Sequence, residues 1–259
     1  MSGSITLENR FGVNKMELIS LKYAIFVIVL LVLYYCFPKK YRWYVLLAGS
    51  MAYYVIICKW YVLFIIFTIC TTYGSTIWID KLLKKQNAIV KSHKEDWDRQ
   101  TRKEYKEKGR KKRVAVMLFA LLCNFGILAF LKYIPYAGAL GLLLPLGISF
   151  YTFQSMGYVM DVYREIVEPE KNFLKVALFV SFFPQIIQGP IAIYDKLAGQ
   201  LYEGHSLRLE NLQKGALLVL WGVMKKLVIA DRAVNIINFV MDKPMDFSGT
   251  YVFFAAVVY

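Results

Sequence analysis

Histidine is nearly missing from this chain: there are two in 259 residues, His93 and His205. Neither lies in an apolar stretch. His93 falls in a highly charged run with no second ligand near it in sequence, and His205 lies in the polar stretch 202–208 with no nucleophile–base pattern around it. A histidine metal centre is thereby excluded, and no metal is expected. Cysteine is scarce as well. The four (Cys36, Cys58, Cys70, Cys123) all lie in apolar runs without CxxC spacing, so they read as small core residues, not as a disulfide frame or zinc site. A cleavable leader is not visible, because the first apolar run is followed by Pro38 and the basic Lys39, Lys40 and Arg42 and not by small residues. That run is read as a retained targeting span.

Charge is the next shortage. Only 19% of residues are charged, against 58% hydrophobic and 16% aromatic, a balance outside that of soluble globular domains. Acidic residues are fewest, 18 against 32 basic, for a net charge of +14. Fourteen of the basic residues and only five acidic ones lie in 81–113, a net +9 in one block. A basic block between two apolar runs marks a cytoplasmic loop, whereas a nucleic-acid surface would sit on a foldable soluble domain, so nucleic acid is not an expected partner.

What the chain does have is long apolar runs. Residues 60–79 contain no charge in 20 positions, and 114–134 contain only Lys132 in 21, each enough to cross about 30 Å of hydrocarbon as a helix. The expected fold class is therefore an all-α, polytopic transmembrane protein in the lipid bilayer of a plasma or inner membrane. Spans are expected at about 19–37, 43–57, 60–79, 114–134 and 140–162, with Lys22 snorkelling from the first. The second and third spans form a hairpin, which puts Lys39–Arg42 and 81–113 on one side. Both are basic, so that side is the cytoplasm and the N-terminus lies outside. The basic loop itself reads as a charged helix facing solvent or headgroups, with Glu104 and Lys108, and Glu107 and Lys111, one helical turn apart.

After 134 the runs are interrupted by Pro145, Gly147, Pro184, Gly189 and Pro190. Broken backbone at membrane depth is tolerated only where protein or a wet cavity satisfies the freed groups, so Pro184, Gly189 and Pro190 are expected to shape a functional interior. The stretch 173–190 is too short to cross and reads as re-entrant. Two polar stripes accompany it. Tyr151, Gln154, Tyr158 and Asp161 are spaced by 3, 4 and 3, and Ser181, Gln185 and Gln188 by 4 and 3, each set on one helix face. Buried amides and hydroxyls must pair, so these residues either line a passage or glue helices together. Asp161 and Arg164 are expected to pair and fix a helix end. Residues 212–241 hold Lys225, Lys226, Asp231 and Arg232, too many charges for a plain span, and should bend or lie at the interface. Residues 251–259 begin a further span, so 1–259 is expected to be the N-terminal part of one membrane domain. Discontinuous helices with polar stripes taken alone suit a transporter or flippase. No internal repeat is visible.

The motifs LPLGISFYTFQSMGYVMDVYRE (144–165) and ALFVSFFPQIIQGPI (177–191) closely resemble the membrane-bound O-acyltransferase family. The likeness is strongest to the bacterial branch that contains the alginate O-acetyltransferase membrane subunit and the D-alanyl-lipoteichoic acid transfer protein, and it covers most of the chain. It implies a helical funnel in which an acyl group from a cytoplasmic thioester, such as acetyl-CoA or an acyl carrier, passes to a hydroxyl of an exported polysaccharide or to an extracytoplasmic partner acyltransferase. No bound cofactor is implied. The family's essential histidine lies on a later span, expected beyond Tyr259, so no catalytic residue is assigned here and the piece alone is expected to be inactive.

Overall fold

The computed structural model describes residues 21–93, 97–133, 145–187, 189–242 and 244–258. Regular structure among them is helical throughout: α1 (Leu21–Cys36), α2 (Arg42–Cys58), α3 (Val62–Ser92), α4 (Arg99–Tyr133), α5 (Ile148–Tyr163), α6 (Phe173–Ser181), α7 (Phe183–Ile187), α8 (Tyr194–Tyr202), α9 (Leu209–Met224), α10 (Asp231–Met241) and α11 (Gly249–Val258). The chain forms two compact units, Met1–His205 and Ser206–Tyr259.

In the first unit α3, α4 and α5 pack together, with α1 on α2 and α6 inserted against α2, α3 and α5. Helix α3 does not stop where its apolar run ends at Ile79; it continues to Ser92, and α4 starts at Arg99. The basic block 81–113 is thus largely the end of an antiparallel helical hairpin. His93 sits at its turn, where the imidazole stacks on Trp97 with centroids 4.8 Å apart and Nδ1 lies 3.1 Å from the Ile89 carbonyl.

The interior is mainly apolar with small hydroxyl residues set into it, and the outside is apolar as well. Ser50, Thr72, Thr76, Ser155 and Ser181 are fully buried, whereas Ile28, Leu63, Phe119 and Leu122 are exposed on the outside. The stretches Lys39–Ser92 and Arg99–Tyr133 are long and apolar enough to cross a membrane, yet only 33% and 22% of their most apolar windows are buried. A core helix of a soluble protein would bury most of that surface, and so large an exposed apolar area in water would drive aggregation. In lipid the pattern is the expected one: small hydroxyl residues let helices approach, and aliphatic residues face the solvent of acyl chains. Ser75 and Thr76 donate within their own helix, as in Thr76 Oγ1 to Thr72 O at 2.9 Å. Asn124 Nδ2 donates across the bundle to Thr71 Oγ1 at 2.9 Å, which locks α4 to α3.

The second unit is small. Its α9 has no buried residue, and six residues in π geometry, Lys225–Ala230, join it to α10. Lys226 pairs with Asp231 across that wider turn at 3.6 Å, so the charges of this stretch lie at a bend between two helices. Ile237, Val240 and Ala255 pack α10 on α11.

Candidate functional site

The site is built on a helix that is broken and turned back. Asn172 caps α6, its side chain accepting from Leu174 N at 3.0 Å, while Tyr73 of α3 holds the approach by donating to Lys171 O at 3.0 Å. The helix runs nine residues and ends at Phe182, whose ψ of 105° leaves the helical region. Pro184 then stands in the first turn of α7, where a missing N–H costs least. At its far end α7 brings Ile186 against Gly147, just before α5. Gly147 has φ of 68°, and a Cβ there would strike the Ile186 carbonyl. The chain comes back: Tyr194, opening α8, stacks on Tyr158 at 4.1 Å, and Tyr202 donates to Lys175 O at 2.8 Å. Tyr158 lies about 16 Å along α5 from Gly147. The α6–α7 segment therefore enters and leaves near the C-terminal end of α5 and reaches its N-terminal end in between.

A break of this kind frees backbone groups that apolar surroundings cannot solvate. Two side chains meet them. Gln154 Nε2 donates to Phe179 O at 2.9 Å, and Ser50 Oγ on α2 accepts from Phe183 N at 3.4 Å. Tyr158 Oη accepts from Glu170 N at 2.8 Å, tying the segment after α5 to its helix. The α5 stripe thus faces α6, and two of its members carry out structural pairing. Tyr151 is fully buried, with its ring edge-on to Tyr54 at 6.3 Å and the two phenols acting on each other. The Ser181 hydroxyl and Gln185 Oε1 are buried without a partner among the described residues. Gly189 has φ of 136°, a backbone that favours glycine, and both it and Pro190 are exposed. Gln188 lies outside the described residues.

Asp161 and Arg164 form no ion pair with each other. Three residues apart is close enough on a continuing helix, but the helix ends at Tyr163 and Glu165 turns to positive φ. The pair at this end is Arg113 with Glu165 at 3.6 Å, and Arg113 also donates to Gln86 Oε1 at 3.1 Å, joining α3, α4 and the end of α5. His205 is an anchor: its carbonyl accepts from Arg42 Nη1, its N–H donates to Tyr34 Oη at 3.3 Å, and its ring Nε2 lies 3.0 Å from Gln200 O. Arg42 in turn lies over the Tyr34 and Tyr35 rings. Burial pushes the Tyr194 and Tyr202 phenols above their ordinary range.

Sequence reasoning passed over Ser50, Asn124 and the hydroxyl stripe of α3. Asn124, the sole amide in 114–134, and the recurrence of Thr68, Thr72 and Thr76 every fourth residue were available signals. Ser50 had none, because its partner is 133 residues away.

The all-helical fold and its long, outward-facing apolar stretches define a helical membrane protein. The chain is similar to a peptidoglycan O-acetyltransferase of Helicobacter pylori, 31% identical over 170 residues, which are 51% of this chain and 32% of that protein. It is also similar to probable alginate O-acetylases, that of Pseudomonas syringae pv. tomato at 40% over 89 residues (34% of this chain, 17% of that protein) and that of Pseudomonas putida at 34% over 114 residues (44% and 22%). The resemblance to the membrane-bound O-acyltransferases stands on these relatives, of whose length the chain matches a third or less. No protein-family model matches the chain. No solved structure matches it.

Proposed function

We propose that this chain serves a membrane-bound O-acyltransferase that moves an acetyl group from a cytoplasmic thioester, acetyl-CoA or an acyl carrier, to hydroxyls of an exported polysaccharide, directly or through an extracytoplasmic partner enzyme. The observation that carries the reading is the similarity to proteins named as O-acetyltransferases of two different glycans. Those names favour acyl transfer over transport. The broken α6–α7 segment adds physical support, because it sets unpartnered buried polar atoms of Ser181 and Gln185 on adjoining elements beside Tyr151 of α5. In this reading they, with Gln188, border the passage where donor and acceptor meet, and Gln154 and Tyr158 hold its walls. Neither histidine of the chain is a base here, since both are committed to helix ends and backbone anchoring. The N-terminus lies outside and the α3–α4 hairpin in the cytoplasm, on the charge argument.

The test is transfer of radiolabelled acetyl from acetyl-CoA into polysaccharide by membranes carrying the full-length protein. Gln185→Leu and Gln188→Leu should each lower transfer roughly tenfold with membrane insertion intact. Unchanged transfer would demote the stripe to packing, and no label in glycan with the unaltered protein would remove the acyltransferase reading.

A further inference from the structure

Along the outside of the α3–α4 hairpin two recesses meet. The first is a groove of about 430 Å³ lined by Trp78, Leu82, Ala115, Val116 and Phe119, with Lys112 at its rim. The second, about 480 Å³, is lined by Lys85, Gln86, Tyr105, Lys108, Lys111 and Lys112, and shares Leu82 and Lys112 with the first. Its floor is the close crossing of the two helices: a Cβ on Gly109 would strike Gln86 Oε1, and Gln86 is held from below by Arg113. The order along the hairpin is consistent on both helices. Trp78 and Phe119 each lie seven residues, about 10 Å, from Lys85 and Lys112, so the apolar groove leads into the lysine pocket along the axis of the spans.

Lys111 is paired with Glu107 at 3.6 Å, but Lys85, Lys108 and Lys112 carry no ion pair among the described residues. Three cations therefore converge without an ion pair among the described residues, at the mouth of a slot that offers only apolar contact. Trp78 stands at the end of the uncharged run 60–79, where an amphipathic ring prefers the boundary between acyl chains and headgroups.

We infer that this is a binding site for one anionic phospholipid, with an acyl chain in the Trp78–Phe119 groove and the headgroup phosphate among Lys85, Lys108 and Lys112. A soluble anion would use the lysines and leave the groove idle, and a neutral lipid would use the groove and leave the lysines unanswered. Charge and apolarity are both answered by the anionic amphiphile, which the surrounding bilayer supplies. The site stands on the hairpin alone and does not depend on the acyltransferase reading.

The experiment is native mass spectrometry of the whole chain in mild detergent at about 0.15 M salt, titrated with phosphatidylglycerol or with phosphatidylcholine of the same acyl chains. Phosphatidylglycerol should be retained about tenfold more tightly, as expected for lysines at a headgroup. The variant K85Q/K108Q/K112Q should lose that preference, K85R/K108R/K112R should keep it, and Ala115→Trp, which fills the groove, should release both lipids. Lys103→Gln, on the other flank of α4, should change nothing. Equal retention of the two lipids, or a preference that survives the glutamine variant, overturns the site. Displacement of phosphatidylglycerol by glycerol phosphate or by acetyl-CoA at equal concentration also overturns it, since either would show a pocket for a soluble anion.

Discussion

Two side chains stand between the broken helix and its unpaired backbone. Gln154 serves the Phe179 carbonyl, and replacing it with leucine leaves that oxygen buried and unanswered, at a cost of about 1–3 kcal/mol. Gln154→Leu should therefore lower the thermal midpoint of the detergent-solubilised protein and expose residues around the α6–α7 break to protease; an unaltered midpoint would mean that the oxygen finds water or another donor. Tyr158 separates two contributions. Tyr158→Phe keeps the stack on Tyr194 and loses the hydroxyl's bonds, from Glu170 N and with the Tyr194 phenol, about 1–2 kcal/mol, whereas Tyr158→Leu loses the stack as well, roughly another 0.5–1.5 kcal/mol. The order wild type, Phe, Leu in midpoint is the expected outcome. If the Phe and Leu variants unfolded together, the stack would contribute nothing.

The segment 173–190 illustrates how far pattern carries at the level of an element. Its shortness and its prolines indicated a non-crossing segment, and the structure draws a short helix, a corner at Phe182, and a second helix that brings Ile186 to Gly147 at the start of α5. The place of the corner was not legible, because Phe182 itself is unremarkable and the stop arises from Ser50 and Gln154 answering the groups around it. Gly147 can be tested against Gly157 on the same helix. A methyl at 147 meets both a positive φ and the Ile186 carbonyl, while a methyl at 157 meets nothing within 4 Å. Gly147→Ala should cost about 1–3 kcal/mol of stability from backbone strain alone and loosen α7, and Gly157→Ala should be neutral or slightly stabilising, both read as shifts in thermal midpoint. Equal shifts would show that α7 does not press on the start of α5.

Across the whole molecule, the extent of exposed apolar surface means that stability depends on lipid or detergent as solvent. Orientation can be read directly. With the four native cysteines replaced, a Lys108→Cys variant should react with a membrane-impermeant maleimide in inside-out vesicles and not in intact cells, since the α3–α4 hairpin is proposed to face the cytoplasm. Labelling from the outside would reverse the topology, while the residue contacts described above would stand.

The sequence by itself determined that this chain is a helical membrane protein, because long uncharged runs, a concentrated basic block and interrupted polar-striped segments are written in composition and local spacing. It also carried the family likeness, since contiguous motifs survive without knowledge of the fold. Only the tertiary structure decided which polar residues pair with what: Gln154 with a carbonyl 25 positions on, Ser50 with an amide 133 positions on, Arg113 and not Arg164 with the acid at the end of α5. The physical reason is that apolarity is summed along a segment and can be read from it, whereas a hydrogen bond in a dry interior depends on which groups folding brings to about 3 Å, and helix periodicity alone cannot name the partner.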